Sequence, residues 1–80
     1  ESWQLQANSR QQLGDFAGAL DSWQQLLLLQ PQLAQGWLGK ALAHDQLAQW
    51  PEAKAAYQQA YALPGLSTAS RQFIQQRLAQ

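Results

Sequence analysis

His44 is the single histidine of this 80-residue chain, and Asp45 follows it directly. A histidine beside a carboxylate could begin general acid–base chemistry or a metal site, but both need further partners within reach. On a helix, neighbours in sequence point about 100° apart and do not face each other. His44 therefore reads as a repeat-core residue. Asp15, Asp21 and Glu52 stand where helix caps and first turns favour negative charge. Ser2, Ser9, Ser22, Ser67 and Ser70 lack the glycine-rich elbow that exposes a nucleophilic serine. No cysteine is present, which rules out disulfides and thiolate metal ligation. No residue set supports catalysis, and the sequence calls for no cofactor and no metal.

Five basic and five acidic residues leave a net charge of zero. A nucleic-acid partner would need a basic face, and an anionic membrane surface would need a polybasic one. Neither partner is expected. No apolar run approaches the roughly 20 residues of a membrane span, and no signal peptide is visible. The chain starts at Glu1 without Met, as an excised piece of a longer protein would. Gln takes about one position in five. It is a good helix former, and its uncharged amide meets a partner without the cost of desolvating an ion.

The elements that carry these residues repeat every 34 positions. Trp3 returns as Trp37, Ala7 as Ala41, Leu13 as Leu47 and Gly14 as Ala48. Phe16 returns as Trp50, Ala19 as Ala53, Trp23 as Tyr57 and Leu29 as Leu63. A fixed period of this size marks stacked helical hairpins that bury their apolar faces against one another. Helices are expected over about 2–13, 16–29, 33–47, 51–62 and 68–79. Ser2, Asp15 and Ser67 serve as N-caps, and Gly14, Gln30-Pro31 and Leu63-Pro64-Gly65 as stops. In the last helix Phe73, Ile74 and Leu78 form an apolar stripe, with Arg71 and Arg77 on the wet side. This pattern suits the terminal cap of a stack.

These residues resemble the tetratricopeptide repeat: Trp3, Ala7, Gly14-Asp15-Phe16, Ala19, Trp23 and Pro31 in the first unit. The second unit offers Trp37, Ala41, Ala48, Trp50, Ala53, Tyr57, Ala60 and Pro64. The resemblance implies an all-α, right-handed α-solenoid of two helix–turn–helix units, 2–31 and 34–64, with a capping helix over 67–80. That makes five helices in a single domain, 1–80. Small Ala7, Ala19, Ala41 and Ala53 let paired helices approach, and Trp3, Trp23, Trp37 and Tyr57 fill the gaps between units. Arg10 and His44 stand where the family often has Tyr, Leu26 where Ala is usual, and Pro64 comes one residue early.

The resemblance also implies a protein-interaction module that binds a peptide or helix in its concave groove. Carried over position by position, that groove comprises Gln4, Asn8, Gln11 and Gln12 from the first unit. Gln35, Leu38, Leu42, Asp45 and Gln46 come from the second. One subclass of the family grips a terminal carboxylate with Lys and Asn. Asn8 matches, but Gln4 stands in the lysine's place and Leu42 in that of the second unit's Asn, so that clamp is broken. A partner of apolar and amide character, such as an amphipathic helix, fits better.

Two alternatives stand beside groove binding: a self-associating structural module and the docking region of a larger enzyme. Four consecutive leucines, Leu26 to Leu29, wrap right round a helix and cannot all face one core. Leu5, Leu20, Leu27 and Leu28 are therefore candidates for an apolar patch that forms a homo-oligomer. The run 37–43, with 57–60 and 63–67, is similar to the C-terminal repeat region of bacterial pilus-biogenesis proteins of the mannose-sensitive haemagglutinin type. That likeness implies a membrane-anchored parent with its repeats in the bacterial periplasm.

Overall fold

Ser2, Asp15 and Ser67 each cap a helix through a side-chain oxygen that accepts a backbone N–H three residues on. The computed structural model describes residues 2–79, and those residues form five helices with no strand among them. They are α1 (Trp3–Gln12), α2 (Phe16–Leu29), α3 (Ala34–Gln46), α4 (Trp50–Ala62) and α5 (Thr68–Leu78). Residue 80, placed by the sequence in the capping helix, and residue 1 lie outside the described residues. Pro51 opens α4, where its missing N–H costs nothing. No side-chain cap holds α3 or α4.

The two hairpin turns use the same backbone device. Gly14 follows α1 at φ 83°, and Ala48 follows α3 at φ 59°. Both are left-handed conformations, and only Gly14 adopts one without a Cβ penalty.

Each helix packs on the next in sequence, and α1 also touches α3. Fully buried Ala7 and Ala19 let α1 and α2 meet closely, and Ala41 and Ala53 do the same for α3 and α4. Two apolar clusters result. One holds Ala7, Ala19, Trp23 and Leu26; the other holds Ala41, Ala53, Ala56, Tyr57, Ala60 and Ile74. Tyr57 packs at ring-centre distances of 6.3 Å from Trp50 and 6.0 Å from Phe73.

Trp23 lies against α3 at Gly39, where an added Cβ would sit on its ring, and Leu27 meets α3 at Gly36. Gly39 has no glycine counterpart in the first unit: 34 residues earlier stands Leu5. The expectation that all four large aromatics fill gaps is corrected at Trp3, which is 37 % exposed. Trp3 is on the first helix, so no described helix precedes it as α2 precedes Trp37 on α3. Trp37 is half-buried, and its indole N–H donates to the Pro31 carbonyl at 2.9 Å.

The capping helix also departs from expectation. Its arginines do not stand on a solvated back. Arg71 donates to the Tyr61 carbonyl at 3.2 Å and lies over the Tyr61 ring. Arg77 pairs with Asp45 and lies over Trp50. The backbone of α5 lies against α4, and its arginines reach on to Tyr61, Trp50 and the Asp45 end of α3.

Candidate functional site

Along α1, Gln4, Asn8 and Gln12 recur every fourth residue, and Gln11 stands beside them; side chains so spaced share one helix face. Gln35, Leu38 and Leu42 of α3 do the same. Because α1 touches α3, the two faces meet in one concavity of about 410 Å³. All seven residues line it. Trp23 and Gly39 complete its floor, and Ser70 of α5 bounds it. None of the described residues lining it is ionisable.

Two hydrogen bonds organise the amides. The Trp23 indole donates to Oε1 of Gln11 at 2.8 Å. Gln4 and Gln35 join α1 to α3 through a longer, exposed contact of 3.4 Å.

Two residues assigned to the groove do not line it. Asp45 accepts the Tyr57 hydroxyl at 3.0 Å and pairs with Arg77 at 2.6 Å. The capping helix brings Arg77 to that turn of α3, and the cation captures the carboxylate. Gln46 is exposed at the end of α3, beyond the concavity. Burial, and then the Asp45 carboxylate beside it, push the Tyr57 phenol well above its ordinary pKa.

A larger hollow of about 540 Å³ lies on the other side of α3, where Trp37, Lys40 and His44 face α4. Its polar groups are already engaged in part. Lys40 lies 5.0 Å from the Trp37 ring centre, and Nδ1 of His44 is 2.7 Å from Oε1 of Gln49. His44 is buried, and the ring contact it makes is to the amide of Gln49. Among the described residues no group of three His, Cys, Asp or Glu side chains could hold a metal ion.

The four leucines assigned to self-association separate. Leu5 is 61 % exposed beside Gln6, Ser9 and Arg10 on α1. Leu28 is 76 % exposed in a different hollow, with Trp37 and Lys40. Leu20 is half-buried. Leu27 is corrected to a core residue at 7 % exposure, because it is the member of the leucine run that faces Gly36.

Trp23, Gly39 and Ser70 were missing from the groove as read in sequence. A glycine inside a helix signals close approach of another group, so Gly39 was findable. Ser70 carries no such signal.

Set against known proteins, the chain matches no family model, no curated protein and no solved structure.

Proposed function

We propose that this protein is an interaction module that binds a segment of a partner protein in the concavity between α1 and α3. One observation carries the reading: seven side chains from two helices that are distant in sequence converge on one hollow whose described lining carries no charge. Leu38, Leu42 and Trp23 supply apolar surface at its base, and the amides supply donors and acceptors. The tetratricopeptide assignment belongs to the same proposal, as does its setting in a membrane-anchored bacterial envelope assembly. No helix among the described residues is long and apolar enough to cross a membrane, so any anchor would have to be supplied from outside them.

The test is the double variant Leu38→Ser/Leu42→Ser. Partner binding should be lost while the far-UV helical signal is retained. Retained binding in a folded double variant removes the groove reading.

A second reading, self-association, draws on the exposure of Leu28 beside Trp37. Sedimentation of wild-type protein and Leu28→Ser separates it from the first. A concentration-dependent dimer that Leu28→Ser abolishes would support it, and a strict monomer would end it.

A further inference from the structure

Arg10 and His44 share one register position in the two hairpins, and they treat their hairpins differently. Arg10 reaches from α1 to α2, where Nη1 donates to the Gly18 carbonyl at 3.1 Å and to the Ser22 hydroxyl at 3.3 Å. Its guanidinium thus bridges the first pair of helices over buried Ser22. His44 is shorter, and its Nδ1 is taken by the Gln49 amide at the turn. The register partners of Gly18 and Ser22 are Glu52 and Ala56, and with His44 they line the hollow of about 540 Å³ between α3 and α4. Where the first hairpin has a guanidinium, the second has open space.

The acceptors around that space suit the same group. Oε1 of Gln49 accepts, so Nδ1 of His44 carries the proton and Nε2 is left as an acceptor on a ring that lines the hollow. Glu52 adds a carboxylate where the first hairpin has glycine, and among the described residues no ion pair engages it. A planar guanidinium meets a carboxylate with two parallel N–H groups, which an ammonium cannot do. The cation already present, Lys40, is held at the other end, 5.0 Å from the Trp37 ring centre.

We propose that this hollow receives the side chain of an arginine from a partner polypeptide, seated against Glu52 and the His44 imidazole. The site lies across α3 from the groove and does not depend on the groove reading. The arginines of α5 are engaged on Tyr61 and Asp45, so the guanidinium comes from another chain. A polypeptide also fits the surroundings. Trp37 and Lys40 line both this hollow and the one beside exposed Leu28, so a chain anchored at Glu52 has apolar surface to lie along. A free guanidinium compound would leave that surface uncovered.

His44 is the only histidine, so its imidazole C–H proton signals report on the site without overlap. The probe is an acetylated, amidated Gly-Ser-Arg-Leu-Ser peptide, titrated into the whole chain at fixed pH. The signals should move saturably, and less at about 500 mM than at about 50 mM NaCl. Citrulline in place of the peptide's arginine should weaken binding about fivefold or more, and Glu52→Gln by a similar factor. Glu52 is exposed, so that variant should keep its far-UV helical signal. His44→Arg supplies the guanidinium from within, as Arg10 does, and should abolish binding measured by calorimetry. Leu38→Ser/Leu42→Ser should leave binding unchanged.

Equal binding of the citrulline peptide overturns the proposal, as does full affinity in Glu52→Gln or in a folded His44→Arg. So does the absence of a saturable shift up to about 10 mM peptide, or tighter binding when glutamate replaces the peptide's arginine. Loss of binding in a folded Leu38→Ser/Leu42→Ser would move the peptide to the groove and end this site. Acetyl-arginine amide that binds as tightly as the peptide overturns the partner polypeptide as the source.

Discussion

Ala48 holds a positive φ that its counterpart Gly14 takes freely. A Cβ in that region costs about 1–2 kcal/mol, and the freedom glycine loses on folding offsets part of the gain. Ala48→Gly should therefore stabilise the protein by about 0.5–1 kcal/mol. The check is a higher denaturant midpoint with an unchanged slope. Gly39→Ala acts in the opposite direction. Its methyl group would meet the Trp23 ring, so the helices must separate or the indole must turn. Overpacking of this kind costs about 1–3 kcal/mol, to be measured by urea unfolding. Tyr57 sets a limit at high pH. An unfolded tyrosine ionises near pH 10. Folded Tyr57 keeps its proton, because burial and Asp45 raise its pKa. Above about pH 10 the folded state thus binds more protons than the unfolded state, and stability drops as pH rises. Thermal unfolding should move to lower temperature from pH 10 upward, and Tyr57→Phe should flatten that slope.

At the scale of elements, α5 is the least anchored helix. Its backbone lies against α4 only, it buries Ile74, and it is tied down by Arg71 and Arg77. The Arg77–Asp45 pair is partly exposed, so its worth is about 1 kcal/mol or less. Asp45→Asn keeps an acceptor for Tyr57 and weakens the tie. Amide hydrogen exchange over 68–78 should quicken in Asp45→Asn before exchange changes in α3 or α4. Equal acceleration in all three helices would contradict this ordering. The sequence discloses the helices better than their ties. Ser2, Asp15 and Ser67 announce their helices through local chemistry, and the structure places the ends within a residue or two of expectation. The groove rows Gln4-Asn8-Gln12 and Leu38-Leu42 are visible because residues four apart share a face. The fate of Asp45 is not visible, since Arg77 lies 32 residues away and only the setting of α5 brings it near. Leu27 and Leu28 are indistinguishable by type. Which one is buried depends on how α2 is turned toward Gly36.

Across the described residues, five helices pack in chain order within 33 × 26 × 19 Å. The two clusters are unequal. The one between α3, α4 and α5 holds Tyr57 and Ile74, whereas the one between α1 and α2 lies beside the exposed Trp3 and Leu5. The first hairpin should open before the second, with weaker hydrogen-exchange protection in α1 than in α3. Packing mainly between neighbouring helices makes such partial opening the natural route.

The difference between Leu5 and Gly39 governs how this architecture could be lengthened. In a concatemer with a further copy of the second hairpin fused ahead of α1, the ring of that copy's tyrosine would come down on position 5. An isobutyl group occupies the place where α3 offers a bare socket. The newcomer would stand off by the thickness of a side chain and leave voids along the junction. Leu5→Gly would reopen the socket. In this chain, then, an atom-sized vacancy that the second hairpin has at Gly39 and the first lacks at Leu5 decides whether another hairpin can seat.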